Sequence, residues 1–343
     1  MSEGLLETGK LPTALLRELL ADAPPLPKEV LLGPRIGEDA CAIEVPAGTL
    51  IAATDPITLT GAEVGAHAVV INANDVAVMG VRPRWFLAAI LLPESTAVSE
   101  VRALFAGMRR ALRDVGADLV GGHSEVTSVV GQPVVVGQML GLAENGRYVR
   151  TGGATAGDLV LQVGAVPIEA AAVLASELPE RLADVDPNLC DRARRAATDP
   201  GLSVVEPALL AAELGATSLH DPTEGGLASG LHELAFASEV GMEVDPERIL
   251  WFEPGRAVCE QLGADPWGAL ASGSLLATFP GPRAAAALET LRARGYPARQ
   301  IARVVPGSRV ERRDGVALAR FERDEVARIL GEIRPESTTI PPG

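Results

Sequence analysis

Residues 72–83 read NANDVAVMGVRP, and the apolar stretch they close decides how the chain folds. Val64, Ala68, Ile71 and Val78 recur at near-helical spacing from about Ala62 to Met79, and Gly80 and Pro83 end the run. This predicts a helix with an Asn-Asp pair inside it. A carboxylate so placed, Asp75, lies against the core and needs a cation or hydrogen-bond donors. Upstream, CAIEV (41–45) and LIAATD (50–55) read as strands. Downstream, WFLAAILLP (85–93) reads as a buried strand and 99–115 as an amphipathic helix. ADLVGG (117–122) reads as a short strand into a Gly-Gly turn, and QPVVVGQMLGLAE (132–144) as a further strand. These segments make one α/β unit.

A helical lead (Pro12 to Leu20) and a Pro-rich linker (Ala23 to Lys28) fall within residues 1–36, so the first domain is expected over 37–147. The Gly- and Thr-rich stretch from Gly146 to Asp158 marks the connection to a second domain, 148–335. There DLVLQVG, TSLHD and GSLLATFP read as strands among helices at 168–176, 187–197, 204–214, 226–238 and 255–262. A last helix–strand pair and a C-terminal helix follow. The tail, 336–343, is expected to be disordered. The fold class is a two-domain α/β or α+β arrangement.

Composition narrows the function. With 30 basic and 45 acidic residues and only 11 aromatics, the chain lacks the basic patch and stacking platforms of nucleic-acid binders. Its only lysines, Lys10 and Lys28, precede the first strand candidate, which excludes Schiff-base and phosphate-loop lysines from the body of the fold. Cys41, Cys190 and Cys259 are too scattered for a zinc knuckle or a disulfide framework. Cys41 and Cys259 read as small core residues, and Cys190 as more exposed. No apolar run is long enough to span a bilayer, and the N-terminus lacks a secretion signal, so a cytoplasmic location is expected.

Five segments carry the chemistry: GEDACAI (37–43), TDPI (54–57), NANDVAVMGVRP, GGHSEV (121–126) and HDPTEGGLA (220–228). Each sets a polar residue at the end of an element, often beside glycines that let a ligand approach the backbone. Singly they are ordinary; Asp39 or Asp221 alone reads as a helix N-cap. Together, carboxylates in a chain of net charge −15 tolerate an anionic substrate only through bridging divalent ions, and oxygen-only ligation favours Mg²⁺ or Mn²⁺. Phosphoryl transfer follows, with backbone N–H groups at Gly121 and Gly122 or Gly225 and Gly226 holding phosphate oxygens.

The order of these segments resembles the ATP-dependent synthetases related to aminoimidazole ribonucleotide (AIR) synthetase, the PurM-like superfamily, over about residues 30–330. NDVAVMG, HDPTEGGLA and GADPWGALASGSLL (263–276) are most similar to its HypE branch. The resemblance implies a PurM-like N-terminal ATP-binding domain and a PurM-like C-terminal domain. It implies that Asp39, Asp55, Asp75 and Asp221 hold Mg²⁺-ATP, that Asn74 supports them, and that Gly121 and Gly122 line the nucleotide. It also implies a homodimer paired through N-terminal sheets, and phosphorylation of an amide, acyl or small acceptor, either a small molecule or a protein side chain. No nucleic-acid or membrane partner is expected.

The chain departs from the family pattern at three places. His123 stands where thiamine-monophosphate kinases and HypE often carry an acid; it and Glu224 are candidate catalytic groups, although a structural histidine and a first-turn acid are the plainer readings. Ser272, Gly273 and Ser274 replace the Glu-Gly-Lys common in HypE. The sequence ends without the HypE cysteine, so self-carried thiocyanate chemistry is not expected. A thiamine-monophosphate-kinase-like enzyme and a non-catalytic ATP-binding scaffold in a maturation pathway are the alternatives.

Overall fold

Leucine- and valine-rich runs on either side of the 64–77 helix call for a sheet with one face covered. In a computed structural model, which describes residues 9–10, 13–21, 24–33, 42–58, 63–94 and 96–333, the chain divides into two units, 1–148 and 149–343. The first contains, in chain order, β1 (Gly9–Lys10), α1 (Thr13–Ala21), β2 (Val30–Leu32), β3 (Ala42–Ile43), β4 (Thr49–Ile57) and α2 (Val64–Ala77). It continues with β5 (Pro83–Leu92), α3 (Val98–Val115), β6 (Asp118–Val126) and β7 (Val134–Ala143). Five strands form one sheet in the order β1-β6-β5-β7-β4; only β5 and β6 are parallel. Side chains alternate across it. Phe86, Ala88, Ile90, Val135 and Met139 are buried on the face against α2 and α3, whereas Leu87, Ala89, Val136 and Leu140 are only half-buried on the other.

Two expectations change here. Only Ala42 and Ile43 of CAIEV form a strand, paired with β2 rather than with the main sheet; Cys41 lies outside the described residues. The Gly-Gly pair is not a turn. β6 runs straight through it, with a register shift between Phe86 and Leu87. Gly122 sits at φ +148°, and a Cβ there would stand 2.2 Å from the Ala88 carbonyl oxygen. The glycines serve close strand approach, not chain reversal.

The second unit contains β8 (Leu159–Val163), α4 (Ile168–Glu177), α5 (Pro187–Arg195), α6 (Val205–Glu213), β9 (Ser218–His220), α7 (Gly226–Ala237) and β10 (Gly241–Val244). It ends with α8 (Glu253–Leu262), β11 (Leu275–Phe279), α9 (Gly281–Ala293), β12 (Ala298–Val305), β13 (Val310–Arg312) and α10 (Glu325–Ile333). Its sheet runs β13-β10-β12-β8-β11-β9, antiparallel except for β10 with β13. β8 and β11 form its buried middle. Cys190 is 5% exposed, against the expectation from its charged neighbours. It shares with Ala193 the one face of α5 that packs inward, while the arginines of that helix lie outward. Cys259 is fully buried, as its helical pattern indicates.

Candidate functional site

Asp55 is the seventh residue of β4, and Pro56 after it holds the strand extended at that point. Its neighbours across the sheet form one row, Asp55, Gly137, Ala88 and Gly122, so all four point to the helix-covered face. Asp75 projects from α2 onto that face and hydrogen-bonds the Asp55 carboxylate. Burial, then the charge of Asp55 and the hydrogen bond to it, push the Asp75 carboxyl up to about 7. The helical carboxylate that the sequence pattern singled out thus lies beside a second carboxylate, carried by β4. It does so without a cationic side chain in the pair.

Asn72 completes the arrangement. Its Oδ1 accepts from the Asp55 N–H at 2.8 Å, and its Nδ2 donates to the Asp55 carbonyl at 3.2 Å and to the Ala68 carbonyl at 2.8 Å. Sequence reasoning singled out Asn74 instead. Asn74 is also fully buried, but it lies two residues from Asn72 and therefore on the far side of the helix from it. The usable signal was spacing: Asn72 and Asp75, three apart, share a face.

The other first-unit candidates lie elsewhere. Gly122 is in the same row as Asp55 but three strands away, roughly 14 Å at ~4.8 Å per strand. His123, the next residue, points to the opposite face, where its Nε2 is 3.2 Å from Glu125. It does not share the Asp55–Asp75 site. Asp39 lies outside the described residues, and among those described no group of three or more His, Cys, Asp or Glu side chains is placed to hold a metal ion.

In the second unit, Asp221 follows β9 and is 6% exposed. It is not a cap, because the residue preceding α7 is Gly225, in the left-handed conformation at φ +72°. The two amides of this unit expected to hold phosphate are already engaged: Gly225 N–H donates to Asp324 Oδ2 at 2.8 Å and Gly226 N–H to the Thr223 carbonyl at 3.1 Å. The chain's own Asp324 takes the anion position at this helix start, which removes Gly225 and Gly226 as phosphate donors in this arrangement. Burial raises the Asp324 carboxyl to about 6 against the pull of its backbone donors. Burial also raises Glu169 to about 7, although Ser272 hydrogen-bonds it, and the charges of Asp324 and Glu224 add to the rise. Glu224 itself is exposed. Asp324 and Glu169 escaped the sequence reading because neither lies in a Gly-flanked segment.

Two helix-backed sheets, the first carrying a half-buried, hydrogen-bonded carboxylate pair on its helical face, make a two-domain protein of mixed helix and sheet. The chain belongs to the AIR synthase related family, whose N-terminal domain matches residues 37–143 and whose C-terminal domain matches 155–315. Its sequence likeness lies with the HypE branch. It is 32% identical to the carbamoyl dehydratase HypE of Azotobacter vinelandii over 265 residues, 74% of each chain. Its fold matches the hydrogenase maturation protein HypE in complex with ATP, with a TM-score of 0.74, 24% identity and coverage of 91% of this chain and 96% of the other. It also matches the thiamine-monophosphate kinase of Stenotrophomonas maltophilia K279a, with a TM-score of 0.72, 21% identity and coverage of 92% and 100%. Among the described residues no helix is long and apolar enough to cross a membrane.

Proposed function

We propose that the chain is a Mg²⁺-ATP-dependent enzyme that phosphorylates an amide, acyl or small acceptor. The observation that carries this reading is the Asp55–Asp75 pair, two hydrogen-bonded, half-buried carboxylates held side by side without a cationic partner within the pair. Such a pair shares a proton or takes up a cation, and its all-oxygen donor set fits Mg²⁺. Asp55 and Asp75 would hold the ion, and Asp39 of the same unit is proposed to join them. When bound, Mg²⁺ neutralises charge on phosphate oxygens. The chain's own contribution is to hold both carboxylates at fixed separation and to keep water from one side of them by the packing of α2 on the sheet.

The ATP complex of the HypE structure supports the nucleotide assignment. Among the described residues Cys190 and Cys259 are both buried, and burial pushes the Cys259 thiol up to about 12, so neither of these two is suited to carry a carbamoyl group. The acceptor we infer is a diffusible molecule or another protein's side chain. The test is calorimetric titration with ATP. Binding is expected only with a divalent ion, and Asp75→Asn is expected to weaken it at least tenfold, about 1.4 kcal/mol. Undiminished binding in EDTA, or in the variant, would overturn the assignment. In the apo protein the same substitution should raise Tm, since it removes a like charge from a half-buried pair.

A further inference from the structure

Asn72 is fully buried, and three of its hydrogen-bonding positions are used on two carbonyls and one amide. Two of those bonds go to the main chain of a single residue, Asp55. The side chain therefore grips Asp55 at both its N–H and its carbonyl, as a neighbouring strand grips a residue in mid-sheet, and the bond to Ala68 ties the grip back to α2. Asp75 lies on the same face of that helix. Asn72 thus fixes the spacing between the strand that carries one carboxylate and the helix that carries the other.

Gly137 makes room for this. It is directly opposite Asp55 on β7, and a Cβ there would stand 2.4 Å from Asn72 Nδ2, 2.9 Å from its Cγ and 2.9 Å from Phe86 Cε2. Any side chain at 137 would push the amide off Asp55. The chemistry of the clamp also matters. An arginine or lysine could donate to the Asp55 carbonyl but could not accept from its N–H, and its charge would cancel the negative potential that attracts a cation. A neutral amide positions without neutralising.

We propose that Asn72 is the positioning residue of the carboxylate pair, holding Asp55 in register with Asp75 for a divalent cation, with Gly137 as its required vacancy. This rests on the Mg²⁺-ATP reading above. The experiment measures Mg²⁺-ATP affinity by calorimetry and Tm by scanning fluorimetry on the full chain for wild type, Asn72→Ala, Gly137→Ala and Met108→Ala. Met108 is fully buried on α3, so its truncation destabilises the same unit without touching the clamp.

Asn72→Ala and Gly137→Ala are each expected to weaken Mg²⁺-ATP binding at least tenfold, while Met108→Ala lowers Tm and leaves affinity within twofold of wild type. Gly137→Ala retains the Asn72 side chain, so it tests the grip even where Asn72→Ala fails to fold. Wild-type affinity in either folded clamp variant, or an equal affinity loss in Met108→Ala, overturns the positioning role and leaves the Mg²⁺-ATP reading standing. A wild-type chain that binds no Mg²⁺-ATP overturns that reading, and the positioning role with it.

Discussion

At the scale of the residue, burial of carboxylates is the recurrent theme, and it has a measurable cost. Glu169 is held at about 7 against an ordinary 4.5, with burial as the leading cause. Between those two pH values the folded state keeps a proton that the unfolded state has released, so this group's contribution to stability falls as pH rises and is lowest above 7. Glu169→Gln removes the penalty and keeps an oxygen for Ser272. Calorimetric unfolding at pH 5 and pH 8 should show the variant gaining on wild type at pH 8 and matching it at pH 5; a constant difference at both would place the shift elsewhere. Asp75 was legible in the sequence because an acid inside an apolar helix has a physical cost that pattern alone reveals. Asn72 was passed over for Asn74 because two amides in one apolar run look alike until the strand that one of them grips is known. Glu169 and Asp324 become visible only through partners more than fifty residues away.

At the scale of the element, glycines were the most misleading letters. Gly121 and Gly122 look like punctuation, yet they let β6 approach β5; Gly225 and Gly226 look like a phosphate cradle, yet their amides are consumed within the chain. Backbone geometry separates such roles. Gly226 at φ +65° and Gly263 at φ +69° have nearly the same left-handed conformation, but a Cβ on Gly226 would lie 2.5 Å from the Trp267 carbonyl oxygen, whereas one on Gly263 meets nothing within 4 Å. Gly263→Ala should therefore cost only the left-handed penalty, about 1 kcal/mol. Gly226→Ala should add a backbone clash and cost about 3 kcal/mol. Urea unfolding of both variants checks this, and equal losses would show that the α7 turn relaxes freely. Long elements were readable to within a few residues because their apolar period is strong. β10 and β13 were not anticipated, because strands of 4 and 3 residues are too short to show a period.

At the scale of the whole molecule, the Gly- and Thr-rich stretch from Gly146 to Asp158 pointed to two domains, but nothing in the sequence gives the strand order, because pairing partners are set by tertiary packing. The first sheet is mainly antiparallel, and its apolar strands are the ground on which a homodimer is expected. With helices on one face only, its other face should be polar if it meets water. Instead it carries Ala89, Leu91 and Val136 half-buried in the single chain, with Leu50 at 45% exposure, while Leu87 and Leu140 pack with Val30 and Ile43 around Trp85, Val120 and Leu142. An apolar sheet face of this kind suits a second copy of itself, since a two-fold axis pairs the same patch twice. We expect a homodimer through this face. Light scattering at micromolar concentration should give twice the mass of 35.6 kDa. Val136→Lys, which puts a charge at the centre of the face without touching the helical side, should return the monomer mass with the fold intact by circular dichroism. A wild-type monomer, or a dimer indifferent to Val136→Lys, would place the interface elsewhere and leave the apolar face to another partner.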